Sequence, residues 1–138
     1  MSPESRRLAG ILLIVYPTVI FGGVSLLYLL TSPETGYADN ELRQSLWRAG
    51  HGHAGMLLLL SLIVLRYVDE ANLPNSLKIF ARYSAPAAAI LLPAAFFLSI
   101  IPKNTTEPNW LIYLGYVGAV ILAVGLLVLG VGLLRKAK

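Results

Sequence analysis

Both histidines of this chain fall within three positions, His51-Gly52-His53, and Arg48 stands three residues before the first of them. Three glycines, Gly50, Gly52 and Gly55, are interleaved with these side chains. An imidazole can ligate a metal, move a proton or hold a hydrogen bond. On a helix, positions i and i+2 point about 200° apart, so the two rings cannot readily chelate one ion from the same helix. Either they serve two different surfaces or the glycines break the helix between them. Arg48, at i−3 from His51, shares its helix face. It requires an anion: Glu34, Asp39, Glu41 or Glu107 from the polar segments, or a bound one. The missing side-chain bulk at the glycines leaves room for a close helix neighbour or for a flat ligand. A neutral imidazole, a cation near a membrane surface and a bulk-free face suit haem, with histidine on the iron and arginine on the propionates. Plainer readings stand beside it: a structural imidazole hydrogen bond, an arginine anchored at the interface, and glycines that only let helices approach.

The elements that must position these residues are membrane spans. Of the 138 residues, 57% are hydrophobic and 13% charged, and mean hydropathy is +0.70. About a quarter of a soluble domain is charged, so a soluble globular fold is excluded. Cysteine is absent, which removes disulfides, thiolate metal sites, iron–sulfur clusters and cysteine nucleophiles. Four apolar stretches, at about 8–30, 46–68, 79–101 and 110–134, are each long enough to cross a hydrocarbon core of about 30 Å. Backbone in lipid must satisfy its own hydrogen bonds, and no period-two alternation marks barrel strands. The expectation is an all-α, integral membrane four-helix bundle, a single transmembrane domain over 1–138, with kinks at Pro17, Pro86 and Pro93. The first stretch is too long for a signal-peptide core and no cleavage pattern follows it, so it reads as an uncleaved span.

With a helix starting near Leu46, His53 lies about 10 Å inside it. An ionisable group at that depth is a functional candidate by default. Tyr16, Tyr28, Tyr67, Tyr83, Tyr113, Tyr116, Trp47 and Trp110 read as interfacial aromatics, with Tyr16 deep enough to face a pocket. Gly115, Gly118 and Gly125, with Ala119 and Ala123, form a small-residue face for helix packing or oligomer contact. Arg6, Arg7, Arg66, Lys78, Arg82, Arg135, Lys136 and Lys138 flank one side, against Arg43, Arg48 and Lys103 on the other. That asymmetry predicts a multi-pass protein of the cell membrane with both termini cytoplasmic. The basic excess is thus one of topology, and no nucleic-acid partner is expected.

Several runs resemble styrene oxide isomerase: Leu8-Ala9-Gly10 with Ile20-Phe21-Gly22-Gly23-Val24, then Trp47-Arg48-Ala49-Gly50-His51-Gly52-His53-Ala54-Gly55-Met56, then Phe96-Phe97-Leu98 with Pro102-Lys103-Asn104. That family comprises small four-helix membrane proteins that bind haem b at the subunit interfaces of a trimer and isomerise aryl epoxides to aldehydes, ferric haem acting as Lewis acid. The resemblance implies haem b, a homotrimer and a histidine iron ligand in the second span. His51 fits if the match follows Arg-Ala-His with one glycine inserted; His53 fits if it follows His-x-Gly, and His53 is favoured as the deeper ring. The other ring is then free to be a second ligand, including from a neighbouring subunit. The family's substrate-holding asparagine and tyrosine fall on Ala54 and Phe97. The resemblance therefore implies a haem site open to a small hydrophobic ligand or gas, with epoxide isomerisation not expected. The alternative is a non-catalytic membrane subunit, or a protein binding a lipid or partner, whose His–Arg cluster is structural.

Overall fold

A computed structural model describes residues 1–135 and contains five α-helices, α1 (Pro3–Val15), α2 (Pro17–Thr31), α3 (Glu41–Tyr67), α4 (Asn75–Leu98) and α5 (Leu114–Leu134). The pair α1 and α2 forms one 29-residue span. It and α3, α4 and the stretch Trp110–Leu134 are four helices long and apolar enough to cross a membrane. The fold is the expected all-α four-helix bundle. Lys136 and Lys138, part of the basic count, lie outside the described residues.

Helices α1 and α3 begin earlier than their apolar runs because capping chemistry, not hydropathy, sets those ends. Ser2 accepts from the Ser5 amide, and Pro3 occupies the first turn, where its missing N–H costs nothing. Asn40 accepts from the Arg43 amide at 2.9 Å, which carries the helix back through the polar run Glu41–Ser45. Glu41 in the first turn and Arg66 in the last both complement the helix dipole. Asn109 caps a 3₁₀ turn over Trp110–Tyr113 that feeds α5. Pro17 interrupts the first span, as expected. Tyr16 keeps helical angles (φ −52°, ψ −38°), and Pro17 removes one donor from the ladder there. Tyr16 packs on the core formed by Leu12, Leu57 and Leu58. Helix α4 continues through Pro86 and Pro93.

Helix α4 is central, with α3 on one side and α5 on the other, while the first span leans mainly on α3. Small residues make the close approaches. Ala81, Ala85, Ala88 and Ala95 of α4 are fully covered. Gly118, Gly125 and Gly132 of α5, seven residues apart, meet Leu92, Ser84 and Leu73 where a Cβ would not fit. The packed seam therefore differs from the expected small-residue face. Ala119 and Ala123 are exposed, about 100° and 140° around the helix from Gly118, and Gly115 makes only an ordinary contact with Ala95. Outward, α1, α2 and α5 present large apolar side chains such as Ile14, Phe21 and Leu127, the surface a lipid phase solvates.

The two ends of the bundle are tied differently. At one, Arg82 is buried although it sits in the third span. Its Nε donates to Ser5 Oγ at 3.0 Å and its Nη2 to Asp69 Oδ1 at 2.9 Å, and Glu4 lies 3.4 Å from Nη1. Asp69 also accepts from the Ser2 amide at 2.6 Å. Burial pushes the Asp69 carboxyl up, but bonds from Ser2, Ser5 and Arg82 outweigh it and hold the group at about 2. The Asn72 amide reaches the Gly132 carbonyl, bringing the end of α5 to the same side. At the other end, Asn40 Nδ2 donates to the carbonyls of Lys103 and Thr105, and Arg43 Nη2 to that of Ile101.

Candidate functional site

The segment carrying the histidines is continuous helix from Glu41 to Tyr67. Of the two expectations for i, i+2 rings, the structure shows the first: the rings serve different surfaces. His51 faces α2. A Cβ on Gly23 would stand 3.1 Å from His51 Cε1 and 3.2 Å from Nε2, and one on Gly22 would stand 3.5 Å from Nδ1. The imidazole therefore fills the space that two bare backbone positions leave, the edge holding Nε2 against Gly23. His53 faces α4, its ring 5.2 Å from that of Phe96. Its Nδ1 lies 2.7 Å from the Ala49 carbonyl, one turn earlier. A carbonyl only accepts, so Nδ1 carries a proton, and in the neutral ring the lone pair is then on Nε2. Between the rings runs the exposed stripe of α3, with Arg48, Gly52, Met56 and Leu59.

The glycines divide their labour. Gly50 is covered by Phe97, whose Cε2 would lie 2.9 Å from an added Cβ. Gly55 contacts Val19 in the same sense at 3.3 Å, whereas Gly52 faces open space. Two of the three let neighbours in, and the third leaves the stripe beside the histidines without bulk.

Arg48 is exposed, its Nε bonded to the Gln44 carbonyl at 3.3 Å. None of Glu34, Asp39, Glu41 or Glu107 comes within ion-pair distance; the ion pairs among the described residues are Arg66–Glu70, Arg82–Asp69 and Arg82–Glu4. The expected loop carboxylate partner is not there. Helix α3 holds Glu41 two turns from Arg48, and Glu34 and Asp39 lie along the Asn40–Lys103 contact.

Beside this site lies an aromatic cluster the sequence did not announce. Tyr37 stacks on Trp47 with ring centres 5.8 Å apart, Trp47 meets Phe97 at 6.2 Å and donates from Nε1 to the Phe97 carbonyl, and the Arg43 guanidinium sits 4.2 Å over the indole. Trp47 is thus a packing residue rather than a surface anchor, unlike Trp110, which is exposed. Tyr37 is 2% exposed, and its hydroxyl has no hydrogen-bond partner. Sequence reasoning passed over it because it belongs to no apolar run; an aromatic residue amid Glu34, Asp39 and Glu41 was the only signal.

Among the described residues no three His, Asp or Glu side chains gather to hold a metal ion. Against family models, curated proteins and solved structures, the chain finds no match.

Proposed function

We propose that this chain is a haem-b-binding protein of the cell membrane, with Nε2 of His53 as iron ligand. The observation that carries the reading is the His53 Nδ1–Ala49 hydrogen bond. Metal-bound histidines typically donate their second N–H to a carbonyl or carboxylate, which fixes the tautomer and the ring. Here that arrangement is built into one helical turn. The residues fit the group in a second respect: Gly52 has open space where a side chain would stand, so the exposed stripe beside His53 admits a flat macrocycle. Bound ferric haem would supply a Lewis-acidic or redox-active iron. The chain's own part is to hold a neutral imidazole at membrane depth, with Phe96 against the ring to limit its rotation.

His51 serves instead as a packing group, because its ring is held against Gly22 and Gly23. Arg48 lies on the α2 flank, so the reading needs no propionate contact from it. A macrocycle on the open stripe of one copy would be covered by another, which favours the homotrimer implied by the resemblance. Ala54 and Phe97 offer no hydrogen bond to an epoxide, and Phe97 is engaged by Gly50 and Trp47. The reaction therefore differs from epoxide isomerisation, and a small hydrophobic ligand or gas suits the apolar surroundings. We also assign both termini to the cytoplasm, since Arg6, Arg7, Arg66, Lys78 and Arg135 share the bundle end tied by Ser2, Asp69 and Arg82.

The test is spectroscopic. Purified protein titrated with haemin should develop a Soret band that His53→Ala removes and His51→Ala retains. An unaltered band in His53→Ala would refute the assignment of the ligand. A wild-type protein that takes up no haem would refute the reading as a whole.

A further inference from the structure

The outer ends of α2 and α3 leave between them a cleft of about 110 Å³, walled by Leu26, Leu27 and Leu30 on one side and by Tyr37, Gln44 and Arg48 on the other. Water takes about 30 Å³ per molecule in the liquid, so the space suits a group of phosphate size and is far below the 300–1,000 Å³ of sites that enclose a drug-sized ligand. Its polar wall carries a cation with no carboxylate partner and a covered phenol hydroxyl with no acceptor. A buried hydroxyl left unsatisfied costs about 1–3 kcal/mol, so this wall is incomplete as it stands. Burial raises the Tyr37 pKa, against the opposing pull of Arg48 and Arg43, which keeps the hydroxyl a proton donor. The opposite wall continues as α2, a helix with no buried residue, along exposed Leu27, Val24 and Phe21. An anion acceptor at the end of an apolar helix face has the form of an amphiphile's site, with the charged group at the interface and the chains below it.

We propose that the Tyr37–Arg48 cleft seats the headgroup phosphate of an anionic membrane phospholipid, Arg48 pairing with the phosphate, Tyr37 donating to it, and the acyl chains lying along α2. An anionic lipid is favoured over a choline lipid because the quaternary ammonium would face the Arg48 guanidinium. The site stands independently of His53 and of haem.

The experiment is native mass spectrometry of the delipidated full chain with added phosphatidylglycerol or phosphatidylcholine, alongside thermal unfolding in the same detergent. Wild type should retain one phosphatidylglycerol in preference to phosphatidylcholine. Arg48→Gln should weaken that retention roughly tenfold or more and Tyr37→Phe about fivefold, as charged and neutral hydrogen bonds respectively imply. In the lipid-free protein Tyr37→Phe should not lower the unfolding midpoint, because the hydroxyl it removes has no partner. Equal retention of the two lipids, or unchanged retention in both variants, would overturn the proposal. A lowered midpoint for lipid-free Tyr37→Phe would also overturn it, by giving the hydroxyl a structural partner. So would loss of retention in His53→Ala, which would make the cleft part of the histidine site.

Discussion

Replacing Gly125 by alanine should loosen the α4–α5 interface, and removing the side chain of Ser84 should restore it. A methyl at position 125 would fall inside the van der Waals envelopes of Ser84 Oγ and Cβ, yet would sit 3.7 Å from Ser84 Cα, an ordinary contact. The new Cβ is fixed by the backbone and cannot turn away. Rotation of Ser84 can move Oγ but not its own Cβ. Overpacking of this kind costs about 1–3 kcal/mol, and alanine's advantage over glycine within a helix returns at most about 1 kcal/mol. We therefore expect Gly125→Ala to lose about 1–2 kcal/mol. Ser84→Gly alone should be mildly destabilising, since its hydroxyl bonds only the Ala81 carbonyl of its own helix. The double change moves one methyl-sized volume from α4 to α5 and should recover most of the loss, a coupling of about 1–2 kcal/mol. Ser84→Ala combined with Gly125→Ala should not recover, because the two Cβ atoms still collide. Unfolding in mixed micelles of increasing dodecyl sulfate, followed by circular dichroism, reads all four proteins. Additive losses in the Gly125→Ala/Ser84→Gly pair would refute the claim that this one contact sets the interhelical distance.

Asp69 sets an acid limit. Its native pKa of about 2 lies below the usual 3.8, so its stabilisation is complete above about pH 4 and fades as pH falls toward 2, by about 2 kcal/mol at most; an unfolding midpoint flat across that window would contradict it. Arg82→Gln leaves Asp69 covered without its cation and should cost about 3 kcal/mol at pH 7, read by the same micelle titration, with only part of the acid sensitivity lost, because the Ser2 and Ser5 bonds that lower the Asp69 pKa more remain. A reporter active only in the cytoplasm, fused after Lys138, should give signal, and a silent fusion with a lit periplasmic counterpart would reverse the topology. Haemin-treated protein incubated with styrene oxide should yield little phenylacetaldehyde by gas chromatography, because missing positioning contacts each cost on the order of 10²-fold; rapid conversion would show that Ala54 and Phe97 are not what replaces the polar pair.

The spans were legible because apolar runs of this length leave the backbone no alternative to helix. Their ends were not, since Glu41–Ser45 reads as loop by polarity and becomes helix through the Asn40 cap. The spacing of His51 and His53 left two readings, rings on different surfaces or a helix broken at the glycines, and only the continuous helix decides for the first; Gly22, Gly23 and Phe96 as their neighbours were not legible, because an apolar helix carries little record of which face meets which partner. The seven-residue spacing of Gly118, Gly125 and Gly132 was present to be read, yet Ala119 and Ala123 are as small and have the same polarity, so composition could not separate seam from lipid face. Arg82 was placed among topology charges. Its partners Asp69 and Glu4 stand outside the spans, where an ionic contact is a matter of tertiary folding.

The hitch at Pro17 divides the first span into halves with different attachments. Helix α1 is held through buried Ser5 and Leu12, whereas no residue of α2 is buried. This span is made before the groups that anchor it, Asp69 and Arg82, which follow more than sixty residues later. For that interval it must remain in the bilayer on its own apolarity, and its nearly unbroken hydrophobic circumference equips it to do so. The Ser2–Asp69 bond can thus form only once α3 has followed the first span.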